Sequence, residues 1–302
     1  MRIIFMGTPE FAVSSLEILL KNHYNVVAVV TAPDKPAGRN LQLASSEVKK
    51  KALEYGLPIL QPTNLKDPAF IEQLKSFQAD IQIVIAFRML PEVVWNMPPL
   101  GTFNLHASLL PAYRGAAPIN WAIINGEKET GLTTFFLKHE IDTGDIILQQ
   151  KEPIYPTDNV GTLYERLMNK GAELLLATVK LIETKQYTLK KQEDLGVVKH
   201  APKIFKETCQ INFQQSVEAV HNFVRGLSPY PAAWFMLQGK LCKVFRTTFI
   251  QEQHSITAGE LQTDHKTYLH IATADGWLVI EELQLEGKKK MGVVEFLRGF
   301  RA

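Results

Sequence analysis

Cysteine is scarce in this chain: Cys209 and Cys242 are the only two among 302 residues. Neither sits in a CxxC pair or a Cys/His cluster. That excludes a cysteine-based zinc site and a disulfide framework, and it suits two free thiols in a reducing cytosol. An excess of charge of one sign is missing as well. The 33 lysines and arginines against 31 aspartates and glutamates give a formal net charge of +2. Nucleic-acid binding would therefore rest on local basic patches and not on the field of the whole molecule. Long apolar runs are absent, and no segment could span a bilayer as a helix. The opening Met1-Arg2-Ile3-Ile4-Phe5-Met6 stops at Gly7, too short for the core of a signal peptide. A cytoplasmic protein without a membrane partner is expected. Internal repeats and low-complexity tracts are also missing. The first strand–helix turn reads Gly7-Thr8-Pro9-Glu10 and not G-x-G-x-x-G, which argues against a dinucleotide site there.

What is present is an ordinary globular composition, 46% hydrophobic and 21% charged, at a length suited to two unequal domains. Short apolar runs alternate with amphipathic stretches through the first half. Arg2 to Met6, Val26 to Thr31, Ile81 to Ala86 and Gly101 to His106 read as strands. Leu132 to Leu137 and Asp145 to Gln150 read the same way. Helical patterns separate them at Ser45 to Tyr55, Pro68 to Phe77, Ala117 to Asn125 and Val160 to Lys185. This alternation predicts an α/β fold with a doubly wound, Rossmann-like, mostly parallel sheet over residues 1–189. A polar, lysine-rich stretch at 190–203 reads as a linker. Beyond it come one amphipathic helix, Ser216 to Arg225, and several strand signals with an Asp275-Gly276 turn. They predict a smaller OB-like β-barrel domain over 204–302.

The chemically informative segment is Gly101-Thr102-Phe103-Asn104-Leu105-His106-Ala107-Ser108-Leu109-Leu110-Pro111. Side chains alternate along a strand, so Asn104 and His106 share a face. Strands of a sheet covered on both sides are apolar throughout. Two polar residues late in such a strand fit its carboxyl end, where ligands bind. An amide donor beside an imidazole suits acyl transfer, because the amide can bind a developing oxyanion and the imidazole can donate or carry a proton. The segment by itself fits equally an exposed strand end with a solvated histidine.

The continuation, Ser108 to Gly115 as SLLPAYRG, and the later Ile141-Asp142-Thr143-Gly144-Asp145 decide between these readings. With the opening GTPEFA and the region around Leu227-Ser228-Pro229-Tyr230-Pro231, the chain resembles the folate-dependent formyltransferases over essentially its whole length. Among these it is most similar to those acting on methionyl-tRNA. The resemblance implies formyl transfer from 10-formyltetrahydrofolate to the amino group of methionine on initiator tRNA. This chemistry requires no metal, and a monomer is expected. Asn104, His106 and Asp142 correspond to the catalytic trio: Asn104 and a protonated His106 would stabilise the oxyanion, and Asp142 would orient His106 and balance its charge. Asp142 or an ordered water would carry the proton. Ser108, Leu109, Leu110 and Pro111 correspond to the folate loop, and Phe87 and Met89 should flank the pterin. Lys35 and Arg39, on a long Pro/Gly-containing loop, would approach the tRNA acceptor end, although Asn40-Leu41-Gln42-Leu43 lacks the lysines usual there. Lys190, Lys191 and Lys203 would contact tRNA phosphates. The rivals are a formyltransferase acting on a small amine, a formyl-folate hydrolase and a non-catalytic nucleic-acid-binding module. The glycine-poor first turn and residues 204–302 argue against the first of these in its glycinamide ribonucleotide form.

Overall fold

The structure, a computed structural model, describes residues 1–37, 42–193 and 199–300. It divides into two compact units. The first comprises Met1–Arg114, Gly131–Glu152 and Tyr164–Lys199; the second comprises Gly115–Thr130, Pro153–Leu163 and His200–Ala302. The sequence places a linker at 190–203, whereas in the structure the segments 115–130 and 153–163 belong with the C-terminal residues. Packing accounts for that. Helix Pro118–Ile124 lies against helix Val217–Leu227 at Gly226, where an added Cβ would come 2.6 Å from Ile124 Cγ1. A helical pattern in a sequence announces an apolar face but not the partner that covers it.

The first unit is built on seven strands: β1 Arg2–Gly7, β2 Asn25–Val30, β3 Ile59–Leu60, β4 Ile81–Ile85, β5 Thr102–His106, β6 Glu129–Phe136 and β7 Ile146–Pro153. Their order across the sheet is β7-β6-β5-β4-β1-β2-β3. The pairs β1–β2, β1–β4, β2–β3 and β4–β5 are parallel. The expected doubly wound arrangement is thus present, with its direction of winding reversing at β1. One refinement comes from β6, which pairs antiparallel with β5, placing Thr133 opposite His106. All five residues of β4 are buried, which suits its isoleucines and valine; the one polar member, Gln82, accepts from Thr102 Oγ1 at 3.2 Å.

Local chemistry sets the helix starts. Asp67 accepts from the amide of Ala69 with Pro68 in the first turn, and Ser46 accepts from the amide of Lys49. The lysines that follow Ser46 are occupied at the surface: Lys49 meets Asp34 at 2.5 Å, Lys50 meets Glu47 at 2.7 Å and Lys51 meets Glu17 at 2.8 Å. The long helix Val160–Thr184 covers the sheet face that carries Leu105. Gly171, midway along it, makes the close approach possible, since a Cβ there would lie 3.0 Å from Leu105 Cδ2. Phe103 and Leu105 are consequently buried, and Asn104 and His106 face the other way. The segment around Lys35, expected as an irregular loop, instead forms a short antiparallel ladder, Lys35–Ala37 with Gln42–Ala44. Main-chain pairing there overrides the weak strand propensity of Pro36.

In the second unit six antiparallel strands form one sheet: β8 Ala233–Leu237, β9 Lys240–Ile250, β10 Leu261–Thr263, β11 Leu269–Ala272, β12 Trp277–Leu285 and β13 Met291–Gly292. The order is β8-β9-β12-β11-β10, with β13 on β12. Register shifts at Val244, Arg246 and Thr247 bend β9, as bulges do in coiled small sheets. Helix Val217–Leu227 lays Val217, Val220 and Val224 into the core of this unit. His221, also on this helix, is largely buried, with Nδ1 2.9 Å from Thr247 Oγ1 and its ring on Phe249.

Burial pushes the His221 imidazole down to about 4, and the nearby Arg225 adds to the shift. The folded state thus prefers the neutral ring. Its contribution is complete above the unfolded value of about 6.5 and is lost as pH falls toward the folded value, to a limit of about 3 kcal/mol. Urea midpoints of the second unit should therefore drop between pH 7 and pH 4.5, and His221→Gln should flatten that dependence. Equal pH slopes for the two proteins would show that His221 is not the group responsible.

Candidate active site

Asn104 and His106 occupy the last turn of pleat on β5, at its carboxyl end and beside β4. His106 is only 8% exposed, which removes the solvated-histidine reading. Its Nε2 lies 2.9 Å from the carbonyl oxygen of Tyr113. A carbonyl only accepts, so Nε2 carries the proton of that bond, and Nδ1 is the ring nitrogen left for chemistry. Nδ1 stands 3.9 Å from Asp142 Oδ2, beyond hydrogen-bond length but within strong electrostatic reach. The half-buried Asn104 side chain makes no hydrogen bond to the described residues, so its amide is an uncommitted donor on the same face. The structure therefore brings together Asn104, His106 and Asp142, three groups drawn from positions nearly forty residues apart.

The loop after β5 is fastened from below. Thr133 Oγ1 donates to the Ser108 carbonyl at 2.7 Å and accepts from the Leu110 amide at 3.1 Å, while Gln149 Nε2 donates to the Leu110 carbonyl at 2.9 Å. Ser108 Oγ donates to the Ala112 carbonyl at 2.6 Å, and the Leu110–Pro111 peptide is cis. Ser108 and Leu110 are buried, Leu110 against Phe135 and Ile146, whereas Leu109 and Pro111 are partly open. These hydrogen bonds hold the loop from below, and Leu109, Pro111 and main-chain groups are the parts able to face a ligand.

Comparison with known proteins supplies the family. A formyl transferase profile matches residues 1–179, and a formyl transferase C-terminal domain profile matches residues 203–301. The methionyl-tRNA formyltransferase of Bacteroides thetaiotaomicron is 54% identical over 309 residues, covering 100% of this chain and 96% of that protein. That of Flavobacterium johnsoniae is 52% identical, covering 99% and 96%. The chain belongs to the methionyl-tRNA formyltransferase family. Among solved structures, the N-formyltransferase from Helicobacter canadensis in complex with folinic acid and dTDP-3-aminofucose superposes with a TM-score of 0.70. It is 23% identical, covering 96% of this chain and 99% of that one. The methionyl-tRNA formyltransferase from Clostridium thermocellum gives a TM-score of 0.56 at 18% identity, covering 82% and 93%. At these identities the two structures speak for the fold alone.

The remaining expected residues of this family member fall into two groups. Phe87 packs half-buried on the core of the first unit, and its ring carries the Arg88 guanidinium 5.5 Å from the centroid. Arg88 itself is tied to the carbonyls of Pro62 and Thr63, and burial pulls its pKa down from the ordinary arginine value. Met89 is 74% exposed, a large apolar side chain open beside that core. Of the basic residues, Lys35, Lys190, Lys191 and Lys203 are exposed, with Lys203 lying 5.2 Å from the Phe205 ring centroid. Arg39 lies outside the described residues. No helix among the described residues is long and apolar enough to cross a membrane, and they contain no His/Cys/Asp/Glu group with metal-site geometry. Sequence reasoning did not point to the Tyr113 carbonyl, which fixes the histidine. A main-chain acceptor leaves no mark in a sequence beyond the turn that exposes it, and Tyr113 has a left-handed φ of 60°.

Proposed function

We propose that the enzyme transfers the formyl group of 10-formyltetrahydrofolate to the amino group of methionyl-initiator tRNA, acting as a monomer in the cytoplasm. The observation that carries this reading is the uncommitted Asn104 amide beside a histidine whose Nε2 is fixed and whose Nδ1 faces a carboxylate. The formyl donor supplies an activated amide carbon. Asn104 donates to the formyl oxygen as it gains negative charge. His106 Nδ1 takes the proton released by the attacking amine, and the Asp142 carboxylate balances the imidazolium that results. That proton then goes to the departing folate nitrogen, so one C–N bond forms as another breaks and the protons balance. The loop Ser108–Pro111 holds the folate through Leu109, Pro111 and main-chain groups, with Phe87 and Met89 flanking the pterin. No step needs a metal.

The test is direct: purified protein, 10-formyltetrahydrofolate labelled in the formyl group, and three acceptors, namely methionyl-initiator tRNA, a small amine and water. Label recovered as formylmethionine supports the reading. Label on the small amine, or formate lost to solvent, overturns it.

Lys35, Arg39, Lys190, Lys191 and Lys203 are assigned to the tRNA backbone. Such contacts are shared by ground and transition states, so their loss raises KM and spares kcat. Alanine at Lys190, Lys191 and Lys203 together is expected to raise KM for tRNA and to lower the log–log salt slope by about one per phosphate contact removed. An unchanged KM and salt slope would take these lysines out of the interface.

A further inference from the structure

We infer that Gln192 and Arg114 are positioning residues that lock Asp142 against His106, an inference that rests on the roles proposed for those two residues. The Gln192 amide is saturated. Its Nε2 donates to the carbonyls of Asp142 at 2.8 Å and Gly144 at 2.9 Å, and its Oε1 accepts from Arg114 Nε at 3.1 Å and Nη2 at 2.7 Å. All four hydrogen-bonding positions of a carboxamide are used. Arg114 directly follows Tyr113, whose carbonyl accepts from His106 Nε2. A closed circuit results: His106 to the Tyr113 carbonyl, along the chain to Arg114, through Gln192 to the Asp142 backbone, and across 3.9 Å from the Asp142 carboxylate back to His106 Nδ1. The two loops that address the two nitrogens of the imidazole are joined by one side-chain amide.

Both loops need such support. Tyr113 and Asp142 have φ values of 60° and 55°, the left-handed region that costs a non-glycine residue on the order of 1–2 kcal/mol. Gln192 is delivered to this place by main-chain pairing. Ile146 and Lys190 exchange reciprocal amide–carbonyl bonds of 2.8 and 2.9 Å, which fixes the chain two residues before Gln192. Gln192 belongs to a segment that reads as linker in the sequence, and in the structure it acts on the candidate catalytic loop. The requirement is for an amide in particular. A glutamate would keep the pairing with Arg114 but would turn a carboxylate oxygen toward two carbonyl oxygens, losing both donors and adding repulsion.

Gln192→Glu and Arg114→Lys in the full chain provide the test. With Gln192→Glu, kcat for formyl transfer is expected to fall on the order of 10- to 100-fold, the scale set by a misplacement of about 1 Å. KM for folate should stay close to wild type, and the melting temperature should fall by about a few degrees, the scale of two lost hydrogen bonds. Arg114→Lys, which cannot form the two-pronged contact with Oε1, should act in the same direction and more weakly. Hydrogen exchange of the 141–146 amides in the resting protein should rise in both variants, a readout independent of activity. Wild-type kcat together with unchanged exchange in Gln192→Glu overturns the inference. If Gln192→Glu loses its fold, Arg114→Lys decides by the same two measurements. Faster exchange in variants of a protein that transfers no formyl group to tRNA would uphold the clamp and reject the proposed function.

Discussion

Removing any one of Asn104, His106 and Asp142 is expected to lower kcat for formyl transfer by about 100-fold or more, the usual cost of losing a preorganised donor in acyl-transfer sites. The substitutions are not equivalent, and the structure says which versions are cleanest. Asn104→Ala takes away an amide with no hydrogen bond to the described residues, so stability should be nearly unchanged and the loss should fall on kcat. For Asp142 the better variant is Asp142→Asn, because its backbone is left-handed at φ 55° and asparagine tolerates that region where alanine does not. It removes the charge 3.9 Å from His106 Nδ1 and leaves the loop in place. His106→Ala also removes the Nε2 donor 2.9 Å from the Tyr113 carbonyl, adding a stability cost of about 1 kcal/mol. Single-turnover rates with saturating methionyl-tRNA, together with thermal melts, check all three. A variant that melts like wild type and retains near wild-type turnover would lose its assigned role.

Gly144→Ala should be as damaging without touching a chemical group. An added Cβ at this position would overlap the carbonyl oxygen of Phe136 and lie 2.8 Å from its carbonyl carbon and 3.1 Å from Phe135 Cδ2. The obstacle is backbone at the end of β6, where the Phe136 amide donates to the Asp145 carbonyl at 3.1 Å, so it cannot swing aside as a flexible side chain would. The loop must move instead, and with it Asp142, whose backbone Gln192 grips at the neighbouring carbonyls. The expected result is a stability loss of about 1–3 kcal/mol and a fall in kcat on the order of 100-fold from displacement of about 1 Å. Gly287→Ala is the matched control. It has a φ of 77° and no atom within 4 Å of an added Cβ, so it should cost about 1–2 kcal/mol of local strain and leave kcat alone. Normal turnover in Gly144→Ala would mean that the Asp142 loop need not be held where the structure has it.

The candidate site was legible in the sequence to the extent that its members are side chains at regular spacing. Asn104 and His106 are two apart on a strand, and a period of two puts them on one face in any register. The motif Ser108 to Gly115 and the Asp142-Thr143-Gly144 turn carried the resemblance on which Asp142 was paired with them. The parts not legible are those made by the main chain or by pairing at a distance. They include the Tyr113 carbonyl on His106, the anchoring of Ser108 and Leu110 by Thr133, and the short ladder at Lys35–Ala37. Gln192 is the clearest instance. It stands in a run of Lys190, Lys191, Glu193 and Asp194 that reads as solvated linker, and nothing in that run says that one amide is saturated from both sides.

Local sequence is enough to account for the doubly wound sheet, the strand that ends in Asn104 and His106, and a C-terminal region rich in antiparallel strands. Each of these follows from local periodicity, turn residues and the burial a β-strand requires. Tertiary structure alone decided that 115–130 and 153–163 join the C-terminal unit, that β6 runs antiparallel beside β5, and that Asp142 meets the free nitrogen of a histidine already held by Tyr113. Those choices depend on which apolar faces cover one another and where buried hydrogen-bonding groups find partners. A chain fixes them only when distant segments pack.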